Sequence, residues 1–255
     1  MTKTFKELLP ETIETARFRW GMLAAAGAFG PVGRRRLAEL LGAGERTARD
    51  GCDRLTGMGL VVAGRRGLRL TPGGTEALRR TDHRALLPPG CEEAAEKTLR
   101  TTRVVIAPCG RWHETLTTAL IGREAARALA PLLAGQPVIA VTGGHPMAAL
   151  ATALAPARMG GLIVPATTDA DAVFMAELIA GRLGAAFGRE AKADALICAA
   201  GEPLPANMAA IPFRAALLPP GEPGAAQTAC ETLCPNILFM DQQTAQAITQ
   251  AKNGG

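Results

Sequence analysis

Residues 138–146 read Val138-Ile139-Ala140-Val141-Thr142-Gly143-Gly144-His145-Pro146. Four consecutive apolar residues, three of them β-branched, predict a strand buried on both faces. The glycines then predict a loop, and a helix is expected from about Met147. Working outward, the same kind of apolar run recurs after Arg103 at 104–107, and at 162–165, 195–199 and 237–240. Helical stretches are expected between them at 114–133 and 171–183, and after the last run at 244–252. Apolar strands alternating with helices predict an α/β fold, a doubly wound parallel sheet with helices on both faces. Residues 201–230, rich in Pro, Ala and Gly, give no readable element. Ligands of such sheets bind at the carboxyl ends of the strands, where Thr142-Gly143-Gly144 stands. Glycines let backbone amides approach an anion, and the dipole of the following helix assists. A phosphate cradle and a plain strand-to-helix turn are both compatible with this spacing.

The upstream third has a different pattern. A helix is predicted over 9–28, with Pro10 in its first turn and Ile13, Ala16, Trp20, Leu23 and Ala24 as its apolar face. Phe29-Gly30-Pro31 ends it. A short helix over 33–41 follows, then the turn Gly42-Ala43-Gly44, then a helix over 45–55. In that third helix Ala48, Cys52 and Leu55 should face inward, and Arg46, Arg49 and Asp53 outward. Gly51 within it costs about 1 kcal/mol relative to Ala, so packing must require it. Next, two short β segments flank Gly64-Arg65-Arg66-Gly67, and Thr71-Pro72-Gly73-Gly74 opens another helix. Helix, short helix, turn, arginine-bearing helix and basic-tipped hairpin is the order of a winged helix-turn-helix. Leu86-Leu87-Pro88-Pro89-Gly90 reads as a break and Cys91–Arg100 as a connecting helix. Two domains are therefore expected: a DNA-binding domain at 1–90 and an α/β domain at 91–255.

Charge separates the same two regions. Residues 1–90 hold 16 Lys+Arg against 9 Asp+Glu, a net +7, while residues 91–255 hold 12 against 14, a net −2. A basic front on a near-neutral back points to nucleic acid as the partner of the front. No apolar run reaches the roughly 20 residues of a membrane helix, and Met1–Glu7 lacks the apolar stretch of an export signal. A cytoplasmic protein without a membrane role is expected. The six cysteines contain no Cys-x-x-Cys, and His83, His113 and His145 are scattered, so no metal, cofactor or disulfide framework is expected. Cys230 and Cys234 would share a helix face, which leaves a redox- or metal-responsive alternative. A sugar-phosphate isomerase or deaminase would need a general base beside the glycine loop. Glu114, Asp169 and Asp171 are the nearest carboxylates in sequence and form no visible constellation, so no catalytic residue is assigned.

The chain resembles the SorC family of sugar-responsive transcriptional regulators, in particular the central glycolytic genes regulator branch. The carrying stretches are Leu8-Leu9-Pro10, Pro31-Val32-Gly33-Arg34-Arg35-Arg36-Leu37 and Gly44-Glu45-Arg46-Thr47-Ala48-Arg49 in the front. In the back they are Ile139 to Ala149, Val164-Pro165-Ala166 and Ile237-Leu238-Phe239-Met240-Asp241. The resemblance implies that 91–255 is an effector-binding and oligomerisation domain, a phosphosugar-binding domain of the sugar-phosphate isomerase fold, and that operator binding responds to an effector. It also implies a back domain shortened relative to the family. It places Arg46, Thr47 and Arg49 on the recognition helix, and Thr142, Gly143 and Gly144 on the effector loop.

There are departures. His145 and Pro146 stand where the family has Ser-Thr hydroxyls, Thr167 where the branch has Arg, and Met175 where a Gln is expected. Fewer donors for a phosphate predict a weakened or lost phosphosugar response. The resulting expectation is a repressor-like regulator of carbohydrate-metabolism genes, not an enzyme, acting on a double-stranded DNA operator as a homodimer or homotetramer. DNA contacts are assigned to Arg34, Arg35, Arg36, Arg46, Thr47, Arg49, Arg65 and Arg66. A phosphorylated sugar or other small anionic effector is assigned to Thr142, Gly143, Gly144, His145 and Thr167.

Overall fold

The computed structural model describes residues 10–133, 135, 137–201 and 204–253. Met1–Glu7, the Leu8-Leu9 pair and Gln136 lie outside the described residues. The chain divides into two compact units. One is Met1–Pro88 with Pro108–Thr117; the other is Pro89–Ala107 with Thr118–Gly255.

In the first unit α1 (Pro10–Phe29), α2 (Arg34–Leu40) and α3 (Glu45–Gly57) precede the hairpin β1 (Val61–Gly64) and β2 (Gly67–Leu70), and α4 (Pro72–Arg80) follows. Burial of α1 differs from the expected stripe. Ala16 is exposed, whereas Trp20 and Met22 to Ala26 are all buried. From Trp20 to Ala26 α1 is thus enclosed on every side, as the central helix of a small core is. Leu37, Leu40, Ala48, Cys52 and Leu55 complete that core. Gly51 gives the Met22 side chain its place in that core: a Cβ there would lie 2.4 Å from the Met22 sulfur, so a larger residue would require this buried side chain to shift. The hairpin gains a third partner at Val32, which exchanges backbone hydrogen bonds of 3.0 and 2.8 Å with Leu68. Gly67 permits it, with φ of 123° and a position where any Cβ would meet the Val32 backbone at 2.6 Å. Thr71 caps α4, its hydroxyl accepting from the Gly74 N–H at 2.9 Å.

The boundary expected at residue 90 did not anticipate that Pro108–Thr117 belongs with this first unit. Trp112 stacks on Trp20 with ring centroids 6.4 Å apart, and the His113 N–H donates to the Leu40 carbonyl at 2.8 Å. Nothing in the spacing of a single loop tryptophan signals such a contact.

The second unit contains α5 (Cys91–Leu99), β3 (Val104–Ala107), α6 (Glu114–Leu133), β4 (Val138–Val141), α7 (His145–Ala153), β5 (Leu162–Pro165), α8 (Ala170–Leu183), β6 (Ala186–Phe187), β7 (Ala195–Ala199), β8 (Phe213–Leu217), α9 (Pro223–Thr232), β9 (Ile237–Asp241) and α10 (Gln242–Asn253). The first turn of α6, to Thr117, counts with the first unit. Seven strands form one sheet in the order β3-β9-β8-β7-β4-β5-β6, with every pair parallel. β3, β7 and β9 are buried at every residue, which accounts for their uninterrupted apolar sequences. The sequence reading missed β6, β8 and α9.

One rim of the sheet is closed by side chains. Glu92 and Glu96 on α5 accept from the N–H groups of Ile106 and Val104 at 3.1 and 2.9 Å. Four residues of helix rise about 6 Å and two residues of strand about 6.6 Å, so the two carboxylates keep step with alternate amides.

Candidate DNA interface and effector loop

In the first unit α2 and α3, separated by the turn at Gly42–Gly44, pack as a helix-turn-helix. Arg34, Arg35 and Arg36 are exposed in the first turn of α2. Cations at a helix N-terminus oppose the macrodipole, so their presence is unfavourable to the free helix. Glu39 offsets part of this, lying 3.6 Å from Arg35 and 3.3 Å from Arg36, although such exposed pairs contribute under about 1 kcal/mol. On α3, Arg46, Thr47 and Arg49 are exposed, opposite the buried Ala48, Cys52 and Leu55. Arg65 and Arg66 form the exposed tip between β1 and β2. Arg46, Arg49, Arg65 and Arg66 make no ion pair or hydrogen bond with any described residue, so their donors are free for an external anion or base.

In the second unit strands β4, β5 and β6 are laid down in one direction, and β7, β8 and β9 in the other. The order reverses between β4 and β7, and that junction is where a doubly wound sheet opens a crevice at its carboxyl edge. Thr142-Gly143-Gly144 leaves β4 at this point. Thr142, expected to face a ligand, is buried; its hydroxyl accepts from the Ala199 N–H at 2.9 Å and donates to the Gly143 carbonyl at 3.2 Å. Together with the bond of 3.2 Å from the Thr142 N–H to the Ile197 carbonyl, it clasps the ends of β4 and β7. Gly144 is the N-cap of α7 with φ of 96°, a conformation that suits glycine.

The Gly144 amide is already engaged. It donates to Oδ2 of Asp171, in the first turn of α8, at 2.6 Å. His145 is exposed and makes no hydrogen bond with any described residue. The hydroxyl of Thr167 donates to Asp169, which caps α8 by accepting from the Ala172 N–H at 2.9 Å. These two donors, the Thr167 hydroxyl first, hold the Asp169 carboxyl below the usual carboxylate range. Met175 is buried within α8. Sequence reasoning noted Asp171 only as a nearby carboxylate and missed its contact with the loop. A cavity of about 390 Å³ opens beside the end of β7, lined by Ala199, Ala200, Gly201, Met208 and Thr228 among others.

All six cysteines are free thiols. The Cys234 thiol donates to the Cys230 carbonyl at 3.2 Å. Burial pushes the Cys230 thiol up to about 11, the opposite of the lowered value that makes a thiol reactive. Among the described residues no group of three or more His, Cys, Asp or Glu could hold a metal ion, and no helix is long and apolar enough to cross a membrane. Nothing in this geometry favours the redox- or metal-responsive alternative.

The first unit is a winged helix-turn-helix, and the second is a doubly wound parallel α/β domain with its glycine loop at the switch point. More particularly, residues 16–84 match the family described as the CggR N-terminal DNA binding domain. The chain is similar in fold to the full-length sorbitol operon regulator SorC from Klebsiella pneumoniae. There the TM-score is 0.53 and the identity 12%, covering 94% of this chain and 99% of that one. A DeoR family transcriptional regulator from Listeria monocytogenes matches 62% of this chain over 98% of its own, with TM-score 0.54 and 10% identity. A domain assigned as the sugar-binding part of a transcriptional repressor from Vibrio fischeri matches 65% over 100%, with TM-score 0.56 and 12% identity. No curated protein matches by sequence. Residues 16–84 are thus similar to the CggR N-terminal DNA binding domain, and the back domain has a fold like that of these regulators.

Proposed function

We propose that the protein is a DNA-binding transcriptional regulator of carbohydrate-metabolism genes, acting as a repressor-like homodimer or homotetramer, whose response to phosphorylated sugars is weakened or lost. The observation that carries the reading is the set of exposed arginines on α3 and the β1–β2 tip, without partners among the described residues and within the stretch that matches a DNA-binding family. Arg46, Thr47 and Arg49 project from the helix that enters the major groove in this motif. Arg65 and Arg66 reach backbone phosphates as a wing does, and Arg34, Arg35 and Arg36 place guanidinium groups at a helix N-terminus where a phosphate also gains from the dipole. The back domain supplies self-association and an effector loop for a small anionic ligand. No catalytic residue and no cofactor enter this reading.

Genomic mapping of bound sites, followed by salt titration of binding to one of them, tests it. Arg65→Ala is expected to weaken binding to all duplexes alike and to lower the salt slope by about 1. Unselective, salt-insensitive binding by the parent would overturn the reading. A single winged helix reads few base pairs, and two-fold operators need paired modules. Sedimentation of the full chain at tens of micromolar is therefore expected to give a dimer or larger, and a monomer would contradict the assembly.

A further inference from the structure

We propose that Asp171 is a resident anion: its carboxylate occupies the place on the Gly143-Gly144 loop that a phosphate would take, and so closes the loop to phosphorylated effectors. The inference rests on reading the back domain as an effector domain, and it assigns the loss of response to one residue. The loop has the position and build of an anion site, at the switch point and ahead of a nine-residue helix. Its amide nevertheless points at the chain's own carboxylate, Gly144 N–H to Asp171 Oδ2 at 2.6 Å. The rest of the side chain lies flat on the neighbouring glycine. A Cβ on Gly143 would fall 2.8 Å from the Asp171 Cγ and 2.9 Å from its Cβ.

The carboxylate therefore takes both the donor and the space. It makes no ion pair with any described Lys or Arg, so its charge is balanced by the amide and the positive end of α7. An incoming phosphate would have to displace it, and would then share the rim with two carboxylates, Asp169 and Asp171. The remaining groups do not compensate. Pro146 has no N–H to offer, the Thr142 hydroxyl is turned to Gly143 and Ala199, and the Thr167 hydroxyl is turned to Asp169.

The test uses the full chain, inorganic phosphate and a sugar bisphosphate, with binding read by titration calorimetry. Asp171→Ala removes the side chain and Asp171→Asn removes only its charge. Asp171 is exposed, so both variants are expected to fold, and thermal denaturation verifies that. The parent is expected to show no saturable binding up to about 10 mM, and Asp171→Ala to bind at least about tenfold more tightly, the scale of one charged contact. Asp171→Asn should fall between them. Saturable binding to the parent that Asp171→Ala leaves unchanged would overturn the proposal, as would two folded variants that gain nothing. Operator binding is measured on the same samples. Failure to bind DNA with phosphate gained in Asp171→Ala removes the regulator reading alone; intact DNA binding with no gain removes the resident anion alone.

Discussion

Replacing Arg46 with Ala is expected to cut the discrimination between operator and random duplex by about 1–3 kcal/mol, roughly fivefold to 150-fold. Arg46 stands in the first turn of α3, exposed and without a partner among the described residues, on the face opposite Ala48 and Cys52. A guanidinium there can fork onto guanine O6 and N7, and no other side chain reproduces two parallel donors at that reach. Lysine at the same position restores charge but not the fork. Arg46→Lys should therefore keep nonspecific affinity and salt slope while losing most of the discrimination. Competition binding of operator and scrambled duplex measures both. Equal discrimination in parent and Ala variant would show that α3 lies on the phosphates and reads no base through this residue.

The largest loss of stability is expected at Asp241. This side chain is almost fully buried at the end of β9. Oδ1 accepts from the N–H groups of Gln243 and Thr244 at 2.9 and 3.0 Å, and Oδ2 from the Gly221 N–H at 3.2 Å and the Thr244 hydroxyl at 2.5 Å. One carboxylate thus starts α10 and ties down the loop after β8. Asp241→Ala leaves the N–H groups of Gln243 and Thr244 without that acceptor, while the Gly221 N–H keeps the Thr244 hydroxyl at 3.0 Å; at about 1–3 kcal/mol for each orphan, a loss of about 2 kcal/mol or more follows. Chemical denaturation of the full chain measures it. A change below about 1 kcal/mol would mean that water replaces the carboxylate, and that the carboxyl edge is wetter than its burial implies.

The strands that were legible are those whose two-sided burial shows as an unbroken apolar run, such as Val104–Ala107 and Val138–Val141. β8 was hidden because Arg214 interrupts its run and Ala215 and Ala216 carry little strand preference. Arg214 is tolerated because its guanidinium reaches the carbonyls of Ala209, Ile211 and Cys234, partners that no local pattern announces. β6 was hidden because two residues make no pattern at all. The helix-turn-helix arginines were legible from helical spacing alone, since the face opposite a buried stripe is exposed. The loop was legible as glycines at a strand end, but its contact with Asp171 was not. Asp171 lies 27 residues beyond Gly144, and only the adjacency of β4 and β5 brings the start of α8 over the loop.

The two rims of the sheet also bear on assembly. At β3 the outward amides of Val104 and Ile106 are held by glutamates from α5, and at the far side β6 is a strand of two residues. Edge-to-edge association needs a row of vacant backbone donors and acceptors, and neither rim provides one. Copies of this domain therefore cannot join by running one sheet into the next. In the proposed dimer or tetramer the shared surface would then be built from helices or loops, which favours a closed assembly of fixed size over an open-ended fibre.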